Sequence, residues 1–237
     1  KDHDTVILDD KLMASNVYIF FIAGFETTAN TLSNLLIELA ANPGIQEKLR
    51  QEVEKFRTAN GKLTYDVIKD MTYMSNVVKE TLRKYPPVPF LGRECTKPYL
   101  VPGTNLTIEK GLMVNVPAYC VHMDPKYYPD PEVFNPDRFS NHSITNGTYL
   151  PFGDGPRNCI GMRFALFELK LTIAYLVSRY KFSLAPRMQY PFEFNKSSMF
   201  LKPEGGVWLK VDSPSLDLEE YMFFSWNRMA QNLVQQF

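Results

Sequence analysis

Phe152-Gly153-Asp154-Gly155-Pro156-Arg157-Asn158-Cys159-Ile160-Gly161 is the stretch whose reading decides the fold. It sets one cysteine in a loop constrained by glycine and proline. A basic residue stands two positions before the cysteine, and a long amphipathic segment follows it directly. A lone cysteine in a loop ordinarily behaves as a small inert hydrophobe. These surroundings instead suit a single thiolate held against a metal. The positive end of the helix expected from about residue 160, together with loop N–H groups aimed at sulfur, favours the anion. Gly153, Gly155 and Gly161 allow close backbone approach to a flat ligand. Arg157 can pair an acidic group by charge-assisted hydrogen bonds, and Phe152 can shield the sulfur from water. The competing metal is zinc, from Cys120-Val121-His122 with Cys159. That set lacks the tight ligand pairs of structural zinc sites.

Working outward, the upstream half reads as helical. Val17, Phe20, Phe21, Phe25, Leu32, Leu35, Leu36 and Leu39 recur near the helical period, which predicts a helix over 16–41. Asn42-Pro43 predicts an N-cap and first residue for a charge-laced helix over 43–57. Thr64 caps a short helix through Ile68, and Met71 to Lys84 forms another that stops at Pro86-Pro87. Residues 97–117 read as β-hairpin structure, and 123–156 as a long irregular segment of the kind that carries function. Helix is expected over 160–180, then strands over 181–184, 198–201 and 206–211. The fold class is mainly α with small β-sheets (α+β).

Composition excludes several classes. The 237 residues carry 26 basic and 26 acidic side chains, so a nucleic-acid partner is not expected. Three widely spread cysteines, an odd number, do not form a disulfide framework and suit a reducing compartment. The apolar run Tyr18 to Phe25 is short of the roughly 18 residues of a spanning helix, so no membrane span is expected.

Two further motifs give the loop its context. Ala23-Gly24-Phe25-Glu26-Thr27-Thr28 puts a glycine inside a helix, at a cost of about 1 kcal/mol relative to alanine. It also permits a local widening. Thr27 can bond back to the preceding turn, and Glu26 can relay protons. Glu80-Thr81-Leu82-Arg83 places opposite charges on one helix face.

Together the form F-x-x-G-x-R-x-C-x-G, the Ala23–Thr28 segment, the E-x-x-R and Pro136-Asp137-Arg138-Phe139 resemble the C-terminal half of the cytochromes P450. The resemblance covers residues 1 to 211 and is closest in flavour to microsomal, xenobiotic-type insect members. It implies haem b with Cys159 as axial thiolate, and contacts to its propionates from Arg93 and Arg157, with Phe152 and Gly161 beside the ligand. It implies oxygen handling by Glu26 and Thr27, and a structural network of Glu80, Arg83 and Arg138. A hydrophobic substrate would lie against Phe20, Ala23, Thr28, Val88, Phe90, Met199 and Phe200. His122 is read as structural or at the surface, not as an iron ligand. The implied activity is insertion of one atom of dioxygen, with electrons from NADPH through NADPH-cytochrome P450 reductase. The implied location is the cytosolic face of the endoplasmic reticulum membrane, through an N-terminal anchor that this chain lacks. The chain is expected to be a fragment. The alternatives are a non-catalytic remnant acting at most as a haem-binding or interaction module, and an isomerase or dehydratase that uses no dioxygen. Glu26-Thr27 argues against the latter. Residues 212–237 are expected to form an atypical tail.

Overall fold

The computed structural model describes residues 9–61, 63–140, 144–213 and 216–220. Most of the expected tail, 221–237, lies outside them. Six helices dominate: α1 (Asp10–Ala41), α2 (Pro43–Asn60), α3 (Tyr65–Lys69), α4 (Thr72–Lys84), α5 (Ala118–His122) and α6 (Met162–Arg179). The strands are β1 (Leu91–Glu94), β2 (Tyr99–Leu100), β3 (Thr107–Ile108), β4 (Met113–Val116), β5 (Lys181–Leu184), β6 (Leu209–Ser213) and β7 (Leu216–Glu220). They form two antiparallel pairs, β1–β4 and β2–β3, and one antiparallel sheet in the order β5-β6-β7.

α1 begins six residues before its expected start because Asp9 caps it, accepting from the Leu12 N–H at 2.8 Å. With the added turn and a half, α1 is long and apolar enough to cross a membrane by length and composition alone, a test that core helices also pass. Its second half is a core element. Leu32, Leu35, Leu36 and Leu39 pack with Val77, Val78 and Leu82 of α4, Ile173 and Val177 of α6, and Phe182 and Val211 of the last sheet. Pro43 does start α2, but Asn42 gives it no side-chain cap. Its amide turns back and donates to the Glu38 carbonyl at 2.8 Å.

Buried polar groups join these elements. The Gln46 side chain donates to the Leu39 and Phe182 carbonyls and accepts from the Phe182 N–H, which ties α1 and α2 to β5. The Glu38 carboxylate, fully buried, accepts from Lys84 at 2.8 Å, from the Tyr85 hydroxyl at 2.5 Å and from the Tyr190 hydroxyl at 3.0 Å. Burial, then the adjacent carboxylate, pushes both phenols above their ordinary range.

Two strand expectations change. Sheet structure begins at Leu91, before the expected 97, since β4 returns to pair with β1 and encloses the small β2–β3 hairpin. Residues 198–201 form no strand. The Asn195 side chain accepts from Ser197 N–H and the Ser198 hydroxyl from Phe200 N–H, so local turns take the backbone donors a ladder needs. Only the single bridge Phe194–Pro203 forms there. The expected 206–211 strand is β6, displaced to Leu209–Ser213.

Candidate active site

α1, the turn after α4, β1 and the start of α6 surround a cavity of about 650 Å³. On the α1 side, Phe20, Ala23, Gly24, Thr27, Thr28 and Thr31 face it. These positions recur at three- and four-residue spacing, so they share one helix face. Small side chains there leave a shallow groove, and an added Cβ at Gly24 would meet nothing within 4 Å. Thr27 donates to the Ala23 carbonyl at 2.7 Å, the back-bond expected from the sequence.

The opposite side is the cysteine loop. Phe152, Gly153, Arg157, Cys159, Ile160 and Gly161 all line the cavity. Two glycines are required by backbone conformation, since Gly153 and Gly155 both have φ of 72°. Asp154 accepts from Gly155 N–H at 2.7 Å and starts a single 3₁₀ turn, Gly155–Arg157. The Cys159 N–H donates to the Phe152 carbonyl at 2.8 Å and closes the loop on itself. A Cβ at Gly161 would stand 4.0 Å from Cys159 Sγ, an ordinary contact, so Gly161 adjoins the sulfur without being required by space. Cys159 is exposed and free.

Arg93 reaches the cavity from β1, where it pairs with Val114, and Val88 and Leu91 flank it. Among the described residues, neither Arg93 nor Arg157 forms a salt bridge. The Arg93 guanidinium donates to the Gly92 carbonyl at 2.8 Å.

The remaining expected residues lie elsewhere. Glu26, beside Thr27 in sequence, is not on the cavity wall and is ion-paired with Lys202. Phe90, Met199 and Phe200 do not line it either; Met199 is 70% exposed. The wall also contains Leu82, Phe164, Ala165 and Leu169, which the sequence reading did not single out. The apolar period of α6 was the available signal for the last three, but it marks core and cavity positions alike.

Behind the loop stands a buried clamp. Glu80 and Arg83 are fully buried and joined by two hydrogen bonds of 2.8 and 2.9 Å. Glu80 also accepts from Arg138 Nε at 3.0 Å and from Asn135 N–H at 2.9 Å. Arg83 donates to the carbonyls of His122 and Pro131, and Arg138 to those of Pro129, Asp130 and Val133. Three charged side chains thereby fix the irregular chain of 123–139 against α4. His122 is buried, not at the surface, and both of its ring nitrogens are engaged by backbone. That removes it from any zinc set with Cys120 and Cys159.

One free thiol, two guanidinium groups with no carboxylate partner among the described residues, and a wall otherwise of apolar residues and three threonines make a site suited to a flat metal macrocycle bearing two acidic groups. The residues therefore fit a haem whose iron takes a sulfur ligand.

Comparison with known proteins agrees with this class. The family described as Cytochrome P450 matches residues 1–211. The chain is 44% identical over 205 residues to "Probable cytochrome P450 6a14" of Drosophila melanogaster, covering 84% of this chain and 40% of that protein. It is 43% identical over 219 residues to "Cytochrome P450 6B4" of Papilio glaucus, covering 89% and 44%. To "Cytochrome P450 9e2" of Blattella germanica it is 42% identical over 209 residues, covering 86% and 39%. The chain belongs to the cytochrome P450 family, a family of haem-thiolate proteins, and spans about 40% of the length of these relatives.

Proposed function

We propose that residues 1–211 are the thiolate-bearing part of a haem monooxygenase acting on an apolar small molecule. The observation that carries the reading is the convergence of Cys159, Arg93 and Arg157 on one cavity, opposite the small-residue groove of α1. When bound, haem b supplies the activation of dioxygen and its transfer to the substrate.

In this reading the Cys159 sulfur would ligate the haem iron, and Arg93 and Arg157 would hold the acidic groups of the haem by charge-assisted hydrogen bonds. Phe152 and Gly161 shape the space around the sulfur. Phe20, Ala23, Thr28 and Val88 offer an apolar or small surface to the substrate. Phe90, Met199 and Phe200 contribute to substrate binding only by moving inward. Thr27 places its hydroxyl at the cavity, and its proton turns inward only when the bond to the Ala23 carbonyl breaks. Glu26 stands outside the wall and passes a proton inward only after its carboxylate leaves Lys202. Glu80, Arg83 and Arg138 do no chemistry; they hold the loop scaffold.

The reading extends to NADPH-cytochrome P450 reductase as electron donor. It extends also to the cytosolic face of the endoplasmic reticulum membrane, with attachment through an apolar anchor preceding the chain. The test supplies haem-loaded protein with reductase, NADPH, isotopically heavy dioxygen and an apolar probe such as lauric acid. One heavy oxygen atom in a hydroxylated product is expected, and product labelled from water would contradict the reading.

A second reading has its own observation. Ile160 is 86% exposed and Phe164 68%, so the chain by itself leaves an apolar cavity wall open to water. On that basis the isolated chain binds haem weakly and does not turn over. Haem titration of this chain beside any longer in-frame product of the same transcript separates the two. Tight stoichiometric uptake by the chain alone would remove the second reading.

A further inference from the structure

His122 occupies a position that the proposed chemistry does not use, yet every polar atom of its ring is committed. Nδ1 lies 3.0 Å from the Arg83 carbonyl oxygen, which can only accept. Nε2 lies 2.8 Å from the Leu150 N–H, which can only donate. The two contacts together require a neutral ring protonated at Nδ1. The Tyr149 ring stacks on it at 5.7 Å and the Tyr128 ring meets it edge-on at 6.3 Å. Arg83 is the charged group facing it, and the Arg83 guanidinium is occupied by Glu80 and by the His122 carbonyl.

Leu150 opens the turn that leads into the cysteine loop. Its N–H is held by His122, and its carbonyl accepts from Gly153 N–H at 3.1 Å. Within that turn lies Phe152, whose carbonyl accepts from Cys159 N–H at 2.8 Å. An unbroken run of backbone bonds therefore leads from the imidazole to the cysteine. At its other end His122 is bonded twice to Arg83: its ring Nδ1–H donates to the Arg83 carbonyl, and its backbone carbonyl accepts from the Arg83 guanidinium.

We propose that His122 is a positioning residue for Cys159. It carries the rigidity of the buried Glu80–Arg83–Arg138 clamp across to the start of the cysteine loop, through the Leu150 N–H. The role rests on the reading of Cys159 as ligand, but the contact itself does not. His122→Phe keeps a flat ring against Tyr149 and leaves the Leu150 N–H and the Arg83 carbonyl unpartnered. His122→Gln keeps an oxygen that can accept from Leu150.

The experiment compares wild type, His122→Phe and His122→Gln by amide hydrogen exchange at Leu150. It also follows, in haem-loaded protein, the fraction of the reduced carbon monoxide complex that keeps the thiolate-type Soret band. His122→Phe is expected to speed Leu150 exchange roughly tenfold, as loss of one buried hydrogen bond implies. It should also convert part of the complex to the non-thiolate band, and His122→Gln should restore most of both. Equal behaviour of Phe and Gln, or unchanged Leu150 exchange in Phe, would overturn the proposal. Should His122→Phe fail to fold, nitrogen NMR shifts of the wild-type imidazole decide: a proton on Nδ1 supports the proposal, and one on Nε2 overturns it. A Cys159→Ala control keeps the two claims apart. If it leaves the band unchanged the ligand reading fails, while the Leu150 and imidazole results still judge His122.

Discussion

Arg83 and His122 are fully buried with their polar atoms paired, whereas Ile160 and Phe164, which face the cavity from the far end of the cysteine loop, are largely exposed. The clamp is a closed polar network, where removing one partner strands a charge in low dielectric. The outer part of the cavity wall, Phe20, Ile160 and Phe164, is apolar surface that nothing among the described residues covers, so those side chains have little native packing to lose. α1 runs through both regimes. Residues from Thr28 to Ala40 are nearly all buried, while Val17 to Phe21 are exposed. Stability therefore resides behind the cysteine loop, and the surface in front of it is available for a ligand.

The largest effect expected from breaking this contrast belongs to Arg83→Met. Glu80 would remain fully buried with only Arg138 as its ionic partner, and the loss should be about 3–5 kcal/mol in a denaturant titration. A loss no greater than that of an exposed residue would show that the clamp is not closed.

Acid should attack the same region. Burial, followed by the neighbouring Arg83 charge, lowers the His122 pKa from 6.5 to about 4, despite the opposing hydrogen bond to the Arg83 carbonyl. The unfolded chain thus takes up a proton near pH 6.5 that the folded chain refuses. Stability from this group is fully present above pH 6.5 and is lost as pH falls from there toward 4, by about 3 kcal/mol in total. Comparing the pH slope of unfolding in wild type and His122→Gln isolates this contribution. Identical slopes would contradict it.

The smallest effect is expected on the exposed first half of α1. Phe21 is 69% exposed, so Phe21→Ala should change stability by no more than about 0.5 kcal/mol. A loss of core size would mean that this face is already covered.

What was legible in the sequence follows the same division. Strongly periodic stretches and typed motifs were readable: the core half of α1, the Pro43 start of α2, the Thr64 cap of α3, and α6. Cys159, Arg157, Arg93 and Thr27, placed by motif and resemblance, meet at one cavity. Side-chain direction was not readable. Glu26 and Thr27 are neighbours in sequence, but about 100° of helical rotation separates them, and only Thr27 faces the cavity. His122 was legible only as structural or at the surface, and its burial decides between the two. Its link to the cysteine loop was not legible, because that link runs through the Leu150 N–H, which leaves no trace in side-chain pattern. The lost strand at 198–201 shows local hydroxyl and amide side chains overriding apolar character.

The central claim is that Cys159 is the metal ligand on a scaffold that does not depend on it. It is tested most directly by the reduced carbon monoxide spectrum of haem-loaded wild type and Cys159→Ala, measured with their unfolding midpoints. Wild type should show a thiolate-type, red-shifted Soret band that Cys159→Ala loses, with closely similar midpoints for the two haem-free proteins. A red-shifted band that survives Cys159→Ala would contradict the claim.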